Sequence, residues 1–152
     1  MLEWLSDPAV GLGGLFLVSL LAATLLPIGS EAFFLAFAYA HPDTLAAALL
    51  VATLGNTLGG MTSYAAGRVL PHGARWERLQ RGDGPLSPAW LARMHRWGSA
   101  SLLLAWAPLI GDGLCLVAGW LRLSWPACAL YMAAGKAARY GVLALGAGWL
   151  AG

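Results

Sequence analysis

The chain has 152 residues, of which 59% are hydrophobic and only 11% charged, well below the roughly 25% charged residues of a soluble domain. With a mean hydropathy of +0.68 and a net charge of +2, it reads as one membrane domain with no nucleic-acid partner. No basic stretch precedes the first apolar run, so that run is expected to stay as a membrane element and not to be a removed signal peptide.

Uncharged runs set the elements in chain order. About 20 apolar residues cross a bilayer core. Residues 8–30 carry no charge, and a break at Pro27-Ile-Gly-Ser-Glu31 separates them from the short apolar run Ala32–Ala40. Segment 1–40 is therefore predicted to be a first hairpin that enters and leaves by one face, interrupted at Pro27 and Gly29. Residues 44–67 are long enough to span alone, giving a span over 44–70 that carries Gly55-Asn56 about midway. Segment 71–97 is a loop. Within it Ser87-Pro88 signals a helix start, and Trp90, Leu91, Met94 and Trp97 follow at helical spacing, so a short interfacial amphipathic helix is predicted. Arg75, Arg78 and Arg81 fix topology or touch anionic headgroups.

The stretch 98–122 repeats the hairpin plan. Runs 97–111 and 113–121 are each too short to cross, and Pro108, Gly111 and Asp112 separate them. A non-helical turn within 107–112 is predicted. The final segment, 125–152, spans only if Lys136 and Arg139 lie inside it. Glu31 precedes Gly55 by 24 residues, and Asp112 precedes Gly135 by 23. Each half reads as a hairpin with an acid at its tip, then a span with a Gly-polar pair. Paired broken segments at corresponding positions point to an inverted repeat. The predicted class is an all-α integral membrane protein with two re-entrant helical hairpins plus transmembrane helices.

Six arginines between 68 and 96 face two acids there, while the other face bears Glu3, Asp7 and Asp43 without a cation. The positive-inside rule puts that loop in the cytoplasm and both termini outside. Trp76, Trp90, Trp97 and Trp125 are expected at the inner interface, Trp4 and Trp149 at the outer, and Trp106 and Trp120 there or against lipid. Cys115 and Cys128 read as small hydrophobes. Gly55-x-x-x-Gly59 serves either an internal helix contact or a homodimer.

Glu31, Asp112, Lys136 and Arg139 would lie at membrane depth with zero net charge. Intramembrane ionisable groups are costly and generally functional. Lys136 and Arg139, three residues apart, share a helix face. Ser30 and Gly111-Asp112 each open a half-helix whose N-terminus favours negative charge. Cations and N-termini together suit an anion, with Asn56 beside them. His41, His72 and His95 are isolated, so no metal and no cofactor are assigned. No Gly-x-Ser-x-Gly or His-Glu-x-x-His run is present, and no enzyme is expected.

The stretches "LPIGSE" (26–31), "GNTLGGMTSYAAGR" (55–68), "WAPLIGDGLCLVAGWLRLSW" (106–125) and "GKAARY" (135–140) resemble the YqaA-type branch of the DedA superfamily, the SNARE-associated or VTT-domain membrane proteins. The resemblance implies re-entrant hairpins meeting in an inverted repeat. It also implies lipid translocation, of a phospholipid or a polyprenyl phosphate, in several cases linked to protons. Glu31 matches the first tip acid, Tyr64, Gly67 and Arg68 the Tyr-x-x-Gly-Arg ending, Pro108 the second-hairpin proline and Ala118-Gly119 the small pair after it. The larger relatives place arginines where this chain has Ala105 and Gly111, and an aspartate where it has Gly60. Lys136 and Arg139 stand in for those arginines, which puts a polyprenyl-phosphate substrate in doubt. The implied function is a flippase-like transporter of an anionic or zwitterionic lipid headgroup. The alternatives are a proton-coupled exporter of a small ion or drug, and a non-transporting assembly factor.

Overall fold

The order of elements follows the apolar runs: α1 (Pro8–Thr24), α2 (Ser30–Ala40), a 3-10 turn (Pro42–Thr44), α3 (Leu45–Val69), α4 (Pro88–Trp97), a 3-10 arm (Gly98–Trp106), α5 (Ile110–Trp120) and α6 (Trp125–Ala151). This computed structural model describes residues 7–24, 30–70, 81, 88–106 and 110–151. Every element among them is helical. The expected breaks at Pro27, Gly29 and Pro108 lie outside the described residues, as do Arg75, Arg78, Trp4 and Trp76.

Helix α3 is the hub. It packs on α1, α5 and α6, while α6 also holds the 3-10 arm and α2. Its inward face is made of small and polar residues, among them Ala48, Ala52, Gly55, Asn56, Gly59, Gly60 and Gly67. Its outward face carries Leu50, Leu54 and Leu58, which are 49–62% exposed. A soluble helix turns the other way, leucine inward. Small residues inside and leucine outside is what lipid selects, because close backbone approach replaces the hydrophobic drive between helices.

The glycines show how close that approach is. A Cβ on Gly55 would sit 2.6 Å from the Phe16 carbonyl oxygen, and one on Gly59 would sit 2.6 Å from Ala23 Cβ. Gly55-x-x-x-Gly59 is thus spent on α1, inside the chain. Nearer the C-terminus of α3, Gly67 meets the Leu116 carbonyl and Gly119 meets the Tyr64 carbonyl, so α3 and α5 touch backbone to backbone.

Two apolar clusters form the core. One joins Leu15, Phe34, Phe37, Ala48, Ala52 and Tyr140; the other joins Tyr64, Leu102, Leu114, Cys115, Val117, Ala118, Cys128 and Met132. Along α3 they flank Asn56 and Gly60, and along α6 they flank Lys136. The two long helices therefore run antiparallel, with a polar layer between two apolar ones. Both cysteines are buried and free.

Three helix–turn details depart from the sequence reading. At 110–112 there is no departure: these residues are helical, as a half-helix opening at Gly111-Asp112 requires, and residues 107–109 of the predicted turn lie outside the described residues. An acid in a first turn is stabilised by the helix dipole and extends the helix N-terminally. The arm before it, Gly98–Trp106, is 3-10, a conformation rarely this long. Ser30, expected as an N-cap, is itself helical and buried. Trp120, expected at an interface or against lipid, is 4% exposed, lying in the tight α3–α5 crossing. Trp97 and Trp125 are each 62% exposed.

Candidate functional site

Counting from Leu45 and from Trp125, Asn56 and Lys136 are each the twelfth residue of their helix, and they meet. Lys136 is 1% exposed. Its ammonium donates to the Asn56 backbone carbonyl at 2.6 Å and to the Asn56 side-chain oxygen. Asp112 Oδ1 lies 3.7 Å from the same nitrogen. Helical carbonyls are normally screened by the side chain one turn on. Here that residue is Gly60, and a Cβ there would lie 3.2 Å from Lys136 Nζ. Gly60 clears the approach, and Cys115 and Met132 close the rest of the pocket.

The amide continues the chain. Asn56 Nδ2 donates to the Tyr140 hydroxyl at 3.0 Å, and Tyr140 donates to Ser30 Oγ at 3.1 Å. Every donor points the same way, from Lys136 through Asn56 and Tyr140 to Ser30. The neighbour of Ser30, Glu31, makes an ion pair with Arg139. One polar layer thus joins the first turn of α5 to the first turn of α2. Both are 11-residue helices with an acid in that turn.

Burial is uneven across the pairs. Side chains of Asp112 and Glu31 are 39% and 35% exposed, against 2% for Lys136 and 17% for Arg139. In each pair the acid is the more exposed member and the cation the more buried. Pairing is what lets four charges sit here, because an unpaired buried charge costs several kcal/mol. The arrangement can hold an anion only by displacing an acid from its cation, and the layer then stays neutral only if the displaced acid takes up a proton.

Sequence reasoning named Glu31, Asn56, Asp112, Lys136 and Arg139, and the structure brings all five into this layer. Gly111 is buried at its edge. Tyr64, Gly67 and Arg68 lie elsewhere. The Tyr64 hydroxyl donates to the Leu123 carbonyl, and Arg68 Nη1 donates to that hydroxyl at 2.9 Å. They clamp the α5–α6 turn. That turn is a Schellman motif: Leu123 N–H reaches the Ala118 carbonyl at 3.1 Å and Arg122 N–H reaches the Gly119 carbonyl at 2.9 Å. Arg122 takes the left-handed position, φ 53°, which glycine usually fills. The residues missed from sequence are Tyr140 and Gly60. Tyr140 lies four residues after Lys136 and so shares its helix face, the one signal that pointed to it.

A helical chain whose central helix α3 faces its leucines outward, and which joins a buried lysine, an asparagine and two acid–base pairs in one layer, is an integral membrane protein with a polar centre. Comparison with known proteins agrees. The chain is 42% identical over 137 residues to the inner membrane protein YqaA of Escherichia coli (strain K12), covering 87% of each, and equally so to that of Shigella flexneri. It is 36% identical over 135 residues to an uncharacterized protein of Haemophilus influenzae, covering 83% of this chain and 80% of that one. The chain belongs to the YqaA family, the DedA-related branch that its motifs resemble. No family model and no solved structure matches it.

Proposed function

We propose that the chain carries an anionic or zwitterionic lipid headgroup across the bacterial inner membrane, without enzymatic chemistry. The observation that carries this reading is Lys136, buried between the first turns of two 11-residue helices and held by displaceable oxygens. The headgroup enters past the partly exposed acids, Asp112 and Glu31. It meets Lys136, Arg139 and the two helix N-termini, which favour negative charge, while its tail stays in lipid. Asp112 and Glu31 hold the cations when the site is empty, and proton uptake by the displaced acids would couple transport to a proton gradient.

The re-entrant and inverted-repeat reading belongs here too. α1 packs on α3 as the 3-10 arm packs on α6, and α5 packs on α3 as α2 packs on α6. These crossed pairings are what two inverted copies make. One helix, Pro42–Val69, is long and apolar enough to cross a membrane by length and composition. α6 is 27 residues, about 40 Å at 1.5 Å per residue, and carries its two cations at the centre. With residues 68–96 cytoplasmic and both termini outside, single-cysteine labels applied from the periplasm should reach positions near Asp43 and not near Arg78. The reverse pattern overturns the orientation.

The deciding experiment is reconstitution into liposomes with a panel of headgroup-labelled lipids. Labelled lipid should change leaflet in the presence of the native chain and not of Lys136→Gln. A native chain that moves no lipid but dissipates an ion or drug gradient establishes an exporter. One that does neither, and whose cellular role survives Lys136→Gln, establishes an assembly factor.

A further inference from the structure

Among the described residues, a further concave feature lies between α4 and the 3-10 arm. α4 ends at Trp97, and Gly98, with φ 55°, turns the chain sharply into the 3-10 arm. Only glycine adopts that backbone readily. The two segments enclose a groove of about 710 Å³ whose lining includes Arg93 and Arg96 from α4, Trp97 at the corner, and Leu103 and Leu104 from the arm. That volume is within the range of small-molecule sites, roughly 300–1,000 Å³.

Its chemistry is divided. Arg93 and Arg96, three residues apart and both exposed, lie on one helix face. The arm opposite offers leucine, with Leu103 46% and Leu104 38% exposed, and Trp97 is 62% exposed at the corner. Guanidinium groups from the helix and aliphatic carbon from the arm match a molecule with an anionic head and a hydrocarbon tail. Arginine suits phosphate because its planar fork gives paired hydrogen bonds. A basic surface near a membrane attracts anionic lipid, and an apolar floor distinguishes a lipid from free phosphate. The inner end of the groove is fixed. A Cβ on Gly135 would lie 2.9 Å from the Leu103 carbonyl oxygen, so the arm rests on α6 one residue from Lys136.

We propose that this groove is a docking site for an anionic phospholipid, with Arg93 and Arg96 on the phosphate and the acyl chain along Leu103 and Leu104. It rests on the membrane placement of the chain and not on the transport reading. If the transport reading also holds, the groove is the waiting position on the arginine-rich face.

The test uses the full chain in nanodiscs of phosphatidylcholine containing a small fraction of photoactivatable phosphatidylglycerol or, in parallel, photoactivatable phosphatidylcholine. Phosphatidylglycerol should label the peptide spanning 97–104 several-fold more than phosphatidylcholine does. The R93Q/R96Q chain should lose that preference, and R93K/R96K should keep most of it. Equal labelling by the two lipids, labels that map elsewhere, or an unchanged R93Q/R96Q chain would each overturn the proposal. If R93Q/R96Q does not fold, the native ratio and the mapped peptide decide. Label displaced by inorganic phosphate as readily as by phosphatidylglycerol reduces the groove to a phosphate site and also refutes it. Lys136→Gln, inert in translocation, should label like the native chain, so failure of the groove and failure of the transport reading give different results.

Discussion

Tyr140→Phe isolates the link between the two ends of the polar layer. The ring is 1% exposed and packs against Phe34 with centroids 5.0 Å apart; phenylalanine keeps that contact. Only the hydroxyl goes, and with it one accepted and one donated hydrogen bond. A net hydrogen bond is worth about 0.5–1.5 kcal/mol, and side-chain bonds inside membrane proteins average about 0.6 and reach about 1.7. Two such bonds, with Asn56 Nδ2 left unpaired, set the expected loss at about 1–3 kcal/mol. Ser30→Ala removes the far partner, so the double variant should lose less than the two single changes together, by about 0.6–1.7 kcal/mol. Reversible unfolding in mixed micelles measures all four corners of the cycle. If Tyr140→Phe lies within about 0.3 kcal/mol of the native chain and the cycle is additive, the chain of hydrogen bonds carries no energy and the polar layer is not one unit.

Three further outcomes follow from the same contacts. Gly67→Ala drives a methyl into the Leu116 carbonyl, which cannot yield as a side chain would, and should cost about 1–3 kcal/mol or more; Gly141→Ala, with open space around it, should be neutral or stabilise by about 0.4–1 kcal/mol, both read by unfolding. Arg122→Gly relieves a left-handed residue and should stabilise by about 0.5–1 kcal/mol, while an unchanged midpoint would mean that the turn relaxes without it. Asp112→Asn with Lys136→Gln keeps the layer neutral, so thermal stability should exceed that of Lys136→Gln alone, yet lipid movement should stay lost; recovery of both would make the pair structural only.

How much of this was legible depended on whether a residue's role is set by spacing or by contact. Apolar run lengths located α3, α6 and both 11-residue helices, because bilayer thickness acts on length. Charge balance alone implied that Glu31, Asp112, Lys136 and Arg139 compensate one another. Which acid meets which cation was not legible, since Lys136 and Arg139 share a face and either could take Asp112. The role of Gly60 was hidden for the opposite reason. It works by having no side chain, and only the approach of Lys136 gives that absence a meaning. Tyr64, Gly67 and Arg68 were visible as a motif, but a motif does not say whether it binds a ligand or clamps a turn. Trp120 was misplaced because bulk apolar residues look alike to lipid and to a glycine-lined crossing.

On the repeat reading, Gly55-Asn56 and Gly135-Lys136 are equivalent positions, and they touch. Equivalent residues that touch lie at the symmetry axis, where two copies of a lysine would face each other at close range and repel. One copy must then be a neutral acceptor. Asparagine meets this need with its amide oxygen and its backbone carbonyl, both used by Lys136. The residues one turn on, Gly60 and Tyr140, differ in the same sense: the glycine leaves open the carbonyl that lysine reaches, whereas a large side chain follows position 136. An exchange of the central pair, Asn56→Lys with Lys136→Asn, keeps composition and net charge yet should not restore the site. A lysine at 56 would have to reach a carbonyl at 136 that has Tyr140 one turn on, where Lys136 meets Gly60. The exchanged chain should therefore unfold more easily than Lys136→Gln, since it buries a charge that Lys136→Gln removes, and breaking such a pairing costs about 3–5 kcal/mol when fully buried. A swapped chain as stable as the native one would show that the two positions are interchangeable, and that the asymmetry of the axis has no part in holding the lysine.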